Sequence, residues 1–350
     1  MKARFFILAA CSLLATSCGP SPQDQATAAR AAYEQMDYVA ARDHLAGALA
    51  DRPDDPKLLE MLARIRLEFG DGEGAIAALD RLQGLGKLPA DADLLYAEGE
   101  LQGGKAEAAL RRLGDETVAD AWRLRALATF MQGDPAKAAD NFQRGTAASG
   151  PKARLQAAYA IFLVEHGEVA EARFAADAAM KEAPGLLQAR LADAMVLQAE
   201  GKADAALAGY YAILDRVPDH RPALLGAIGV LGHAGRIDEL APLVERGAAA
   251  FPGDREFAYL SARLAAERGD WARVRSILQA VETSIADYPE ASGLYAQALL
   301  EEGAVEQARL RLASLHRALP GDPMIRRTYA SALIRVGDYR QAERVIAPLA

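Results

Sequence analysis

The chain has 350 residues, a formal net charge of −8 and 51% hydrophobic residues, but only 6% aromatic ones. An acidic chain without a basic tract lacks the charge pattern that nucleic-acid binding requires, so nucleic acid is excluded as the predicted partner. No apolar run reaches the length of about 18 residues that an ordinary membrane-spanning helix needs.

The first 17 residues have the pattern of a secretory signal. Lys2 and Arg4 form a positively charged start, residues 5–14 are a short apolar run, and small residues lead up to Cys18. This segment resembles a bacterial lipoprotein signal. The resemblance implies a signal peptide over residues 1–17, cleavage before Cys18 and attachment of lipid (palmitate among the acyl chains) to its thiol.

Alternatives to this anchor remain open. The lipoprotein family favours leucine three residues before the cysteine, where this chain has Ala15, while Cys11 follows a better box but a shorter apolar run. Cleavage without lipidation gives a soluble periplasmic product. Gly19 stands where an aspartate usually signals retention in the inner membrane, so the resemblance implies an outer-membrane lipoprotein that faces the periplasm.

The rest of the chain repeats itself. Glycines recur at intervals of 34 residues, with one interval of 29, and Met36 begins the series: Gly70, Gly104, Gly133, Gly167, Gly201, Gly235, Gly269, Gly303 and Gly337. A small residue precedes most of these glycines by seven positions and follows most by five, as at Ala160 and Ala172 around Gly167. Small side chains at both places let two helices of a pair approach closely, so helix–turn–helix repeats are predicted.

Residues 22–350 resemble the tetratricopeptide repeat (TPR) family. The segments 36–53 and 337–342 match its pattern closely, and Trp122 lies where the family often has tryptophan. The resemblance implies an all-α fold, a right-handed superhelical solenoid of about ten repeats. Ile228, Leu240 and Val274 replace small residues, so repeats seven and eight are expected to pack slightly differently.

Four segments are predicted along the chain: the signal over 1–17, the lipidated cysteine and a short tether over 18–25, repeats one to three over 26–118, and repeats four to ten over 119–350. The 29-residue interval shortens repeat three, whose second helix is expected from Ala106 to about Leu113. Residues 84–118 are either where the stacking bends or simply a shorter rigid repeat.

No catalytic constellation is visible, so the chain is predicted not to be an enzyme, and no cofactor or metal is expected. It has neither a P-loop, nor a Gly-x-Ser-x-Gly elbow, nor a His-Glu-x-x-His motif. Of the five histidines, His166 and His220 are interpreted as solvated turn residues.

TPR family geometry implies that first helices line a concave surface. The positions facing it form a mostly apolar set, predicted as a partner-binding groove: Leu127, Phe130, Met131, Ile161, Val164, Leu191, Met195 and Leu225. Such a groove suits an apolar peptide or an amphipathic helix. Two alternatives stay open. Curvature closes these side chains against the next repeat, or the partner binds the C-terminal end around Val345 and Ile346.

Two functions follow from the family resemblance. The first is a scaffold that contacts the membrane only through its lipid anchor and joins proteins of an envelope machine for exopolysaccharide export, pilus assembly or secretion. The alternative is a periplasmic, chaperone-like adaptor that holds apolar peptide segments in the groove. Neither the partner nor the oligomeric state is encoded in a recognisable motif.

Overall fold

The computed structural model describes residues 22–347, and all regular secondary structure in that part of the chain is helical. Twenty helices follow one another as ten helix–turn–helix pairs, which confirms the predicted number of repeats and the all-α class. Cys18, the predicted signal and residues 348–350 lie outside the described residues.

The chain divides into two compact units, with the division inside one helix. Unit 1 extends to Val196, and unit 2 begins at Leu197. The helices of unit 1 are α1 (Pro22–Glu34), α2 (Tyr38–Asp51), α3 (Pro56–Glu68), α4 (Gly72–Gly84), α5 (Ala92–Gln102), α6 (Ala106–Leu113), α7 (Ala119–Met131), α8 (Pro135–Ala147), α9 (Ala153–Glu165), α10 (Val169–Glu182) and the larger part of α11 (Leu187–Ala199).

Unit 2 contains the end of α11 and nine further helices. These are α12 (Ala203–Leu214), α13 (Arg221–His233), α14 (Ile237–Ala250), α15 (Arg255–Glu267), α16 (Trp271–Ala280), α17 (Pro289–Glu301), α18 (Val305–Ala318), α19 (Pro323–Arg335) and α20 (Tyr339–Ile346).

Local chemistry explains where each pair turns. Gly133 adopts φ +80°, a left-handed conformation that ends α7, and the side chain of Asp134 then accepts a hydrogen bond from the Lys137 amide at the start of α8. A glycine followed by a capping aspartate also lies between the two helices of several other pairs. Met36 occupies the glycine position of the first repeat with φ +57°, the one positive φ of a non-glycine residue between residues 22 and 347.

The alanines of the repeat lie where the helices cross. Ala126, Ala160 and Ala172 have no solvent exposure, and all three belong to one apolar core that runs through repeats four to six. In repeats seven and eight the bulkier Ile228 and Val274 are buried at the equivalent positions. The predicted close-packing positions are therefore core positions.

The shortened repeat has its own core. Helix α6 spans only Ala106–Leu113, as expected, and Gly114 follows it with φ +44°. Leu101, Leu113 and Leu124 pack together in this part of unit 1. The neighbouring first helices α5 and α7 also contact each other directly, as α7 and α9 do on either side of the longer α8.

At the other end of the described chain, Val345 is buried and Ile346 is half-buried against the core of unit 2. Exposed apolar side chains in the last repeat are instead Met324, Ile334, Val336 and Tyr339.

Candidate protein-interaction surface

The first helices of unit 1 hold a buried cluster of charges. The guanidinium of Arg123 on α7 bonds both carboxylate oxygens of Glu98 on α5, at 3.3 and 3.1 Å, and its Nε donates to Asp120 at 2.5 Å. Burial raises the pKa of Glu98, against the effect of Arg123. For Arg123, burial acts to lower the pKa, but the charges of Asp120 and Glu98 raise it on balance. Arg123 is thus a structural residue that ties two repeats together.

A second group of contacts joins distant repeats of unit 1. Glu68 on α3 pairs with Arg154 on α9 and accepts a hydrogen bond from the amide of Gln188 on α11 at 3.0 Å. Met36 lies so close to Gly185 that a Cβ on that glycine would be 2.9 Å from the methionine sulfur. Repeat two is therefore bonded directly to repeats five and six, and the first repeat packs where Gly185 lacks a side chain.

These contacts surround a cavity of about 560 Å³. Its wall combines Tyr33, Tyr38 and Leu186 with the ion pair of Arg64 and Asp91, in which two nitrogens of Arg64 reach Asp91 at 2.9 and 2.8 Å. Around this cavity, the inner face of unit 1 is therefore lined by paired charges as well as by apolar side chains.

The residues predicted to form the groove lie at different depths. Leu191 is buried, while Leu127, Ile161 and Val164 are half-buried and pack against the core of unit 1. Met195 and, in unit 2, Leu225 are also half-buried. Phe130 and Met131 are 38% and 50% exposed at the end of α7.

Phe130 belongs to an aromatic cluster that includes His166, which was expected to be a solvated turn residue. Its ring lies edge-on to Phe162 at 5.7 Å and 6.0 Å from His166, which in turn lies 4.1 Å from Phe162. The Nδ1 of His166 is 2.7 Å from the Phe162 carbonyl, so this nitrogen is the donor. We call the exposed surface of Phe130, Met131 and His166 over Phe162 the aromatic patch.

His166 is exposed, as expected of a turn residue, but it is not merely solvated. The signal that identifies its role is the four-residue spacing from Phe162, which puts both rings on one helix face. The carboxylates of Glu165 and Glu168 flank it in sequence, and burial raises the pKa of Glu165.

His220 departs further from the expected solvated turn. Its Nδ1 accepts a hydrogen bond from the Ala223 amide at 3.3 Å and so caps the N-terminus of α13. Burial lowers the pKa of His220 to about 4. The neutral ring is therefore the form that supports this helix.

Within residues 22–347, no helix combines the length and hydrophobicity that a membrane span needs. The same residues contain no group of three or more histidine, cysteine or acidic side chains placed to hold a metal ion.

Comparison with known proteins identifies the repeats. The family model of the tetratricopeptide repeat matches residues 32–98, in unit 1, and 265–327, in unit 2. No curated protein shows significant similarity to the chain.

Three solved structures resemble the chain at low sequence identity. One, described as pilF of Pseudomonas aeruginosa, is 18% identical over 69% of this chain and 96% of that chain, with a TM-score of 0.44. The Cut9–Hcn1 hetero-tetramer of APC/C is 12% identical over 94% of this chain and 86% of the other, at 0.44. The human IFIT1 dimer with PPP-AAAA is 14% identical over 95% and 92%, at 0.48.

The two matched regions are tetratricopeptide repeats, and residues 22–347 as a whole form ten helix pairs. Such repeats indicate a scaffold for protein–protein interaction, and folds of this family are generally non-catalytic.

Proposed function

We propose that this chain is a lipid-anchored scaffold of a bacterial envelope machine, located at the outer membrane and facing the periplasm. In this role it holds a protein of an exopolysaccharide-export, pilus or secretion assembly. The observation that carries the protein-binding part of the proposal is the exposure of Phe130, whose ring packs on Phe162, and of the neighbouring Met131.

The aromatic patch has the chemistry of an interaction hot spot. Aromatic side chains are over-represented among the residues that dominate binding energy, and methionine adapts its shape to a partner. Phe130 is held by Phe162 beneath it, so little side-chain freedom is lost when a partner covers it. The patch therefore supports a stable contact with one defined partner.

The inner face of unit 1 favours the scaffold over the chaperone-like adaptor. An adaptor that holds many apolar segments needs a continuous apolar groove. In unit 1 the charged pairs Arg64–Asp91 and Arg154–Glu68 occupy part of that face, and Leu191 is buried. A discrete patch suits a specific partner better than a series of unrelated peptides.

The proposal is tested by capture from detergent-solubilised envelopes with the chain carrying Phe130→Asp or Met131→Asp. We expect the wild type to retain a protein of an envelope assembly, identified by mass spectrometry, and both variants to lose it. The matched control is Phe174→Asp, because Phe174 is 77% exposed on the second helix α10 and its ring is not among those in contact with Phe130, Phe162 or His166.

Helicity and melting are measured for all three variants. Capture that survives in both folded patch variants, or that is lost equally in Phe174→Asp, contradicts the proposed docking surface. A captured partner with no place in the envelope contradicts the proposed machine.

A further inference from the structure

Helix α13 in unit 2 carries three glycines on one side, at positions 226, 229 and 232. Packing explains the first: a Cβ on Gly226 would lie 2.4 Å from the Tyr210 ring. It does not explain the other two. A Cβ on Gly229 would meet only Gln198, at 3.8 Å, and one on Gly232 would meet nothing within 4 Å. Glycine destabilises a helix interior relative to alanine, so two such residues weaken α13 without a packing reason.

Both glycines border a pocket of about 340 Å³ between α13, α14 and α15. Its wall is aliphatic, formed by Ile228, Ile237, Leu240, Leu260 and Leu264. Ile228 and Leu240 are buried at its base. The volume lies at the lower end of the range of ligand pockets, and two of the positions that line it have no side chain.

The rim carries one cation and one anion. Arg263 and Glu267 are exposed one turn apart on α15, and neither forms an ion pair with any residue between 22 and 347. Arg263 lies over the ring of Tyr259 at 6.0 Å. His233 donates Nδ1–H to the Gly229 carbonyl at 2.7 Å, which holds the imidazole along its own helix and leaves Nε2 as an acceptor.

We propose that this α13–α15 pocket anchors one large aliphatic or aromatic side chain from a helix of a protein partner. An acidic residue of that helix pairs with Arg263, and a basic residue one turn away pairs with Glu267. The rim charges complement such a helix, because residues three and four apart share a helix face. The site lies in unit 2 and is separate from the aromatic patch, so it adds a second contact beyond the proposed function.

The test uses short synthetic helical peptides with an acid and a base one turn apart and a central leucine, phenylalanine, alanine or aspartate. Binding to the full chain is measured by fluorescence anisotropy. We expect the leucine and phenylalanine peptides to bind at least about tenfold more tightly than the other two, because only they fill the pocket. The double variant Gly229→Ala/Gly232→Ala narrows the pocket, so that preference should shrink while the melting temperature rises.

Gly293→Ala is the matched control, since a Cβ added to Gly293 in α17 would also meet nothing within 4 Å, and this glycine lies outside the pocket. It should raise the melting temperature and leave peptide binding unchanged. Arg263→Glu should weaken peptide binding, and a peptide in which a base replaces the acid should recover the lost affinity, because both rim positions are then acidic.

Equal affinity for the leucine and aspartate peptides, or full affinity in the double glycine variant, overturns the proposal. The Phe130→Asp variant separates this result from the proposed function, because its α13–α15 pocket is intact and should bind the peptides normally.

Discussion

At the scale of single residues, the small side chains of the repeat determine how closely helices pack. Ala172 on α10 has no solvent exposure, whereas Ala170, two positions earlier on the same helix, is exposed. Replacement of Ala172 by leucine adds three carbons to a full core and is expected to cost about 1–3 kcal/mol of unfolding free energy. Chemical denaturation of the variant measures this loss.

The control for that substitution is Ala170→Leu, which adds the same atoms on the solvent side and should change stability by less than about 0.5 kcal/mol. If Ala172→Leu unfolds like the wild type, the alanine is not at a close helix crossing.

Also at this scale, Arg123 and Arg154 show why residue type alone does not reveal a binding surface. Both lie on first helices, where the family geometry places contact residues. The structure instead pairs Arg123 with Glu98 and Arg154 with Glu68. Removing one member of a buried pair leaves the other charge without its partner, which makes these arginines unsuitable probes of partner binding.

At the scale of single helices, the stability of α13 depends on the protonation state of His220, the residue that caps its N-terminus. His220 accepts the Ala223 amide through Nδ1, and an imidazolium has no lone pair for that bond. Its folded-state pKa, about 4, is below the ordinary value of 6.5. The contribution of His220 to stability is therefore complete above pH 6.5 and is lost as pH falls toward 4. At pH 5 the expected loss is up to about 2 kcal/mol relative to neutral pH.

Denaturation at pH 7 and pH 5 of the wild type and of His220→Asn measures this effect. Asparagine is a good N-cap that does not titrate, so the variant should lose less stability over the same interval. Identical pH dependence of the two proteins contradicts the role assigned to His220.

At the scale of the whole molecule, the proposed location rests on Cys18. Cys18→Ser removes the thiol that receives lipid, and we expect the variant to lose palmitate label and to leave the membrane fraction. Two or more acyl chains on one protein give stable anchoring, so wild type should remain with membranes after a salt wash. Metabolic labelling with palmitate followed by fractionation measures both outcomes.

Cys11→Ser is the matched control, because Cys11 is the other cysteine of the chain. It should keep both the label and the membrane attachment. If the label persists in Cys18→Ser and disappears in Cys11→Ser, the lipidated residue is Cys11 and the proposed anchor is wrong. Membrane attachment of the wild type without palmitate label contradicts lipidation.

The number of repeats, the all-α class and the positions of the turns could all be predicted from the amino-acid sequence. These follow from short-range effects: glycine at the left-handed turn, an aspartate cap such as Asp134, and alanine at the crossing, as at Ala160 and Ala172. Each acts within about one helix pair, so a 34-residue period is enough to predict them.

The accessibility of the first-helix residues could not be predicted in this way, because it depends on contacts between distant repeats. Glu68 meets Arg154, 86 positions away, and Gln188, 120 positions away, and Met36 packs against Gly185. The chain also divides inside α11, where the repeat pattern continues without interruption. A local period does not encode such contacts, because the burial of a side chain depends on neighbours that the stacking of distant repeats brings to it.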